Sequence, residues 1–186
     1  MTIEQFFHWA DEIEYRACKL ANSFSHRQTI RSLFRAVSRL GDGVFWYSLM
    51  LIMPVLVDPL HPYVGLKAAI VMLLSGGLGL VIYKVLKTKM LRERPFIGLI
   101  GIECAMPPLD HYSFPSGHTL HAVLFSTIAV HFCPSLAIVL VPFTCLIAAS
   151  RVVLGLHYPS DVLVGAFLGW LVARVGLLFA AQVMFI

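Results

Sequence analysis

Charge is what this 186-residue chain has least of. Asp, Glu, Lys and Arg together make up 13% of it, about half the roughly 25% carried by ordinary soluble domains. That scarcity excludes a disordered chain, a nucleic-acid-binding tail and an ordinary cytosolic enzyme. Cysteine is equally uninformative as a framework. Cys18, Cys104, Cys133 and Cys145 have neither metal-ligand nor disulfide spacing, and all four read as small buried hydrophobes. An uncharged apolar leader is also missing from residues 1–24, where Asp11, Glu12 and Glu14 intervene, so that stretch does not read as a secretory signal. Repeats and low-complexity segments do not stand out.

What is abundant is apolar sequence. Hydrophobic residues make up 59% of the chain and mean hydropathy is +0.82. Five stretches, near 41–60, 64–86, 116–132, 134–150 and 161–185, approach the ~20 residues needed to cross a bilayer. The expected fold is therefore an all-α integral membrane protein with five spans over residues 41–186. Asp42 and Asp58 bound the first span and make it short, Pro54 and Pro142 are tolerable as kinks, and Ser75 with Gly79, and Gly165 with Gly169, allow close helix approach.

Residues 1–40 differ in kind. Ile3, Phe6, Ala10, Ile13, Ala17, Leu20 and Phe24 share one helical face, which predicts an amphipathic helix lying in the membrane surface. Pairing with a second copy as a homodimer is the competing reading. In residues 27–40, Arg27, Arg31, Arg35 and Arg39 recur every fourth position, either to hold anionic headgroups or as a solvated basic face.

Threading the spans back and forth brings twelve of the fourteen lysines and arginines to one side, leaving Lys67 and Arg174 elsewhere. Three polar clusters meet at that side: Lys87 with Arg94-Pro95; Pro115-Ser116-Gly117-His118; and Ser150-Arg151 with His157 and Asp161. Taken singly, each is an anchor, a helix start or a loop. Taken together, Lys87, Arg94 and Arg151 suit a phosphate, and a helix beginning at Ser116 points N–H groups at an anion. The Ser116 hydroxyl adds a donor. His157, with Asp161 accepting from its Nδ1, can attack phosphorus, and His118 can protonate the leaving oxygen. The scheme requires no metal and no cofactor.

These residues resemble the type 2 phosphatidic acid phosphatase superfamily, whose pattern is Lys, six residues, Arg-Pro; Pro-Ser-Gly-His; and Ser-Arg, five residues, His, three residues, Asp. The match is complete from Lys87 to Asp161. The resemblance implies catalytic roles for His157, His118 and Asp161, and a phosphate site of Lys87, Arg94, Ser116, Gly117 and Arg151. It implies a membrane lipid substrate: phosphatidic acid, phosphatidylglycerophosphate, or an isoprenoid such as undecaprenyl diphosphate. One departure stands out. Membrane members typically have six spans with the first motif after the third, whereas here it follows the second. An inner membrane of bacterial type is expected. The charge bias places the active-site face in the cytoplasm, while the family pattern places it in the periplasm. The rivals are a non-catalytic lipid-phosphate binder and a transporter, the latter expected to hold its charges nearer the midplane. A haloperoxidase is disfavoured by the lipid setting. His121 and His111, the latter beside Asp110, read as neighbours rather than functional groups, and His8, His26, His61 and His131 as incidental.

Overall fold

The computed structural model describes the backbone of residues 3–58, 60 and 62–183, and side chains from residue 12 onward apart from 59, 61, 62 and 184–186. Among the described residues every regular element is helical: α1 Ile3–Ser23, α2 Gln28–Leu40, α3 Val44–Val57, α4 Pro62–Lys89, the single turn α5 Pro95–Gly98, α6 Gly117–Phe132, α7 Ala137–Val153 and α8 Pro159–Val183.

Three helical segments are long and apolar enough to cross a membrane alone: Tyr63–Lys89, Pro134–Val153 and Pro159–Val183. At 1.5 Å per residue, the 14 residues of α3 and 16 of α6 reach only ~21 and ~24 Å. α3 meets the length and apolarity criteria only together with α2, across a 52° bend at Gly41-Asp42-Gly43. Gly43 has φ 131° there, a conformation that a side chain would strain. α6 compensates for its shortness by position. It packs against α4, α7 and α8 and buries Leu120, Ala122, Leu124, Ile128 and Ala129 completely.

The contact between α6 and α8 helps set the site, because α6 begins with the second motif and α8 carries Asp161 of the third. A Cβ on Gly165 would stand 2.6 Å from the Ser116 carbonyl oxygen, and one on Gly169 would stand 2.2 Å from that of Leu120. The glycine pair thus admits the α6 backbone, as its spacing predicts. Gly169→Val is expected to lower stability by about 1–3 kcal/mol through overpacking. Gly77→Ala, whose Cβ meets open space, should not lower it; thermal unfolding in detergent compares the two.

α1 presents its faces in an unusual sense. The predicted apolar face is turned outward, with Ile13, Leu20 and Phe24 46%, 66% and 49% exposed, while the polar face is turned toward the protein. Asn22 donates from Nδ2 to the carbonyls of Glu103 and Val153 and accepts from the Glu103 N–H. Ile3, Phe6, Ala10 and His8 lie outside the described side chains, and His61 outside the described residues.

Two expectations are corrected. Arg31 bonds the Ser25 carbonyl and pairs with Glu103 at 2.8 Å, and Arg35 bonds the Ala105 carbonyl. These two members of the arginine stripe pin the segment after α5 to α2 and are not left for headgroups. Of the cysteines only Cys18 is buried, its thiol pushed up to about 12 chiefly by burial. Cys104, in the segment after α5, is exposed and Cys133, just past the end of α6, is intermediate; Cys145 is exposed because an apolar helix such as α7 has an outer face as well as a core.

Candidate active site

The three motifs converge on one cavity of about 380 Å³, walled at its polar end by Lys87, Arg94, His118, Arg151 and His157. Each arrives on a different element: Lys87 on the last turn of α4, Arg94 just before α5, His118 on the first turn of α6, Arg151 on the last turn of α7, and His157 in the connection to α8. Gly117 also lines the cavity, and Tyr83 explains why it is glycine: a Cβ there would lie 2.7 Å from the tyrosine ring.

His157 and Asp161 are both buried, as few ionisable groups are without partners. The backbone N–H of His157 donates to the Arg151 carbonyl at 3.1 Å, which ties the imidazole to the guanidinium six residues earlier. Its Nδ1 lies 3.5 Å from Asp161 Oδ2 and has no formed hydrogen bond, while Nε2 lies 3.5 Å from Arg94 Nη1. A contact of that length tightens readily on binding. Burial, foremost, pulls the imidazole down to about 3; Arg151 and Arg94 add to this, and Asp161 opposes it. The ring is therefore neutral at physiological pH, the form that carries a nucleophilic lone pair.

Asp161 is held from three directions: Oδ1 accepts from Arg92 Nη1 at 2.7 Å, and Oδ2 accepts from the Tyr158 N–H at 2.9 Å and from the Ser113 hydroxyl. Arg94 donates through Nη1 to the Leu156 carbonyl at 2.7 Å. Arg151 donates through Nη1 to the Ser38 hydroxyl, and its buried Nε has no partner among the described residues. Ser116 is fully buried behind the cavity wall, sharing a hydrogen bond with Thr119 Oγ1 rather than capping a backbone N–H. Its backbone N–H donates to the Asp161 carbonyl at 3.1 Å, so it joins the second motif to the third.

Two carboxylates in the cavity wall escaped the sequence reading. Asp110 Oδ1 lies 2.7 Å from Lys87 Nζ and 2.5 Å from Arg94 Nη2, and Oδ2 accepts from the Tyr83 hydroxyl. Partial burial would raise its carboxyl. The hydrogen bonds from Lys87 and Tyr83, and the charges of Lys87 and Arg94, outweigh this and hold it below the usual carboxylate range. Asp42, in the α2–α3 turn, bonds Nε2 of His118. The signal available for Asp42 was its place between two glycines, and for Asp110 its position shortly before the second motif. His121 turns Nδ1 to the Gly117 carbonyl and its ring to Phe125; His111 is exposed against Tyr112. Among the described residues, no three His, Cys, Asp or Glu side chains converge as metal ligands.

The cavity continues from these charges into an apolar half lined by Trp46, Tyr47, Met50, Leu73, Gly77 and Phe125, between α3, α4 and α6. Such an arrangement can hold a phosphate at one end and hydrocarbon at the other.

Phosphatidylglycerophosphatase B of Haemophilus influenzae is 39% identical over 71 residues, 33% of this chain and 30% of that protein. Lipid A 1-phosphatase of Rhizobium etli is 41% identical over 76 residues, 36% of this chain and 32% of that protein. The aligned stretches thus span about a third of these relatives. The crystal structure of Aquifex aeolicus LpxE superposes with a TM-score of 0.74 at 26% identity, over 87% of this chain and 93% of that one. A sequence profile of the PAP2 superfamily matches residues 66–184, the stretch that carries all three motifs, and the chain belongs to that superfamily.

Proposed function

We propose that this protein is a metal-independent membrane phosphatase that removes a terminal phosphate from a lipid phosphate or diphosphate. The observation that carries the reading is the two-ended cavity. Its polar end gathers Lys87, Arg94, Arg151, His118 and His157, and its other end is apolar and flanked by helices of a membrane protein. A water-soluble phosphate ester needs no hydrocarbon-lined half.

In this scheme His157 Nε2 attacks phosphorus while the bond to the lipid oxygen breaks, and His118 delivers a proton to that oxygen. Lys87, Arg94 and Arg151 stabilise the charge on the equatorial oxygens, with help from N–H groups at the start of α6. Water then attacks phosphorus, His118 takes its proton, the P–N bond breaks and inorganic phosphate leaves. Asp161 steadies the imidazolium that forms on His157. The alcohol, or the shortened phosphate, stays in the membrane. Phosphatidylglycerophosphate, phosphatidic acid and isoprenoid diphosphates all meet the chemical requirement. The excess of lysine and arginine beside the site favours a cytoplasmic rim.

Purified protein in detergent should release phosphate from at least one member of a panel of these lipids, at an undiminished rate in excess chelator. Release that requires an added divalent cation would remove the metal-free scheme. Binding of the lipids without release would leave the chain a lipid-phosphate binder.

A further inference from the structure

The motifs leave Arg92 unassigned, and the N-terminal helix has no part in the scheme above. The two meet behind the catalytic pair. Arg92 Nη1 donates to Asp161 Oδ1 and to Ser160 Oγ, each at 2.7 Å, and Nη2 donates to Glu14 Oε2 at 2.6 Å. The other Glu14 oxygen accepts the Ser160 N–H at 2.9 Å, in the first turn of α8. The guanidinium lies over the Tyr158 ring, 3.8 Å from its centroid, and the Tyr158 N–H is itself a donor to Asp161. Arg92 thus holds the carboxylate from one side and the residue following His157 from the other. It is not among the residues that line the cavity.

The geometry points to Arg92 and Glu14 as positioning residues: a relay from α1 through the guanidinium that fixes Asp161 Oδ1 and so keeps Oδ2 turned toward His157. This rests on the lipid phosphatase reading. Asp161 is fully buried and Arg92 is its only cationic partner among the described residues, the His157 imidazole being neutral. Without Arg92 the carboxylate keeps the Tyr158 N–H and the Ser113 hydroxyl on Oδ2 but loses the bond that fixes Oδ1, and misplacement of about 1 Å at a reacting group can cost on the order of 100-fold. The relay also gives α1 a reason to turn its polar face inward. The helix whose apolar residues face outward carries the carboxylate that anchors the arginine, so α1 belongs to the catalytic frame.

The test uses full-length protein in detergent, with phosphatidic acid and phosphatidylglycerophosphate as probes and His157→Ala as the blank. Release by the wild type and none by the blank establishes the underlying reading; failure there strikes that reading, not the relay. Arg92→Ala should then lower kcat by about 100-fold with KM within a few-fold. Arg92→Lys should recover much of the loss, and added guanidinium should partly rescue Arg92→Ala. Glu14→Gln should lower kcat in the same direction by less, because Arg92 keeps its bond to Asp161. Unchanged kcat in Arg92→Ala overturns the proposal. So does a rise in KM equal to the loss in kcat/KM. A loss of activity that only follows loss of folded protein, with Lys and guanidinium giving no rescue, also overturns it.

Discussion

His157→Ala should eliminate phosphate release, by at least about 10⁴-fold, because in the proposed scheme it removes the nucleophile and leaves only binding and electrostatics to act. The protein should nevertheless fold, and its response to acid should change in a defined direction. In the folded chain the imidazole is pulled from 6.5 to about 3, principally by burial. Between those values the unfolded chain binds a proton that the folded chain refuses. Stability therefore falls as pH drops through 6.5 toward 3, and is unaffected by this group above 6.5. His157→Ala removes that linkage. Its thermal midpoint should fall less than that of the wild type between pH 7 and pH 5, even though its turnover is gone at both. An equal fall in the two proteins would place the acid sensitivity elsewhere and contradict a neutral, buried imidazole. Residual turnover near the wild-type rate would remove His157 as the nucleophile.

Helix positions were legible because apolar runs and their breakers are local signals. The run near 64–86 became Pro62–Lys89, and that near 161–185 became Pro159–Val183. The motifs were legible because fixed spacing between Lys87, Arg94, His157 and Asp161 restricts which chemistry can be intended. Span length was less so: the run at 116–132 matches α6, which at 16 residues is short for a crossing, and hydropathy does not show that α3 needs α2. The partners of the charged groups were hidden altogether. Nothing between Asp42 and His118, 76 residues apart, or between Glu14 and Arg92, 78 apart, marks them as neighbours. A cation at the end of a hydrophobic run looks like a topology anchor whether or not it holds a buried carboxylate. The arginine stripe illustrates the converse. Its period predicts a common face, but whether that face meets lipid or a folded-back loop depends on where residues 103–105 lie, and they lie against Arg31 and Arg35.

Arg151 should separate function from stability more sharply than the other two cations. Lys87 and Arg94 share Asp110, so part of their charge is already compensated inside the protein. Arg151 is 2% exposed and bonds only the neutral Ser38 hydroxyl among the described residues. The two carboxylates nearest in effect are engaged elsewhere, Asp42 by His118 and Asp110 by Lys87 and Arg94. A buried guanidinium without an anion is costly to the fold, and it is the group best placed to gain from a phosphoryl dianion. Arg151→Ala is therefore expected to lower kcat/KM by about 10³-fold, the scale on which a transition-state arginine acts, with little loss of thermal stability or even a gain. Arg94→Ala, by contrast, takes the donor from the Leu156 carbonyl and leaves Asp110 with Lys87 and Tyr83 alone, and should lower both activity and melting temperature. Kinetics and thermal unfolding of the two variants side by side test the distinction. If Arg151→Ala proves the more destabilised of the pair, Arg151 is serving the fold rather than waiting for phosphate.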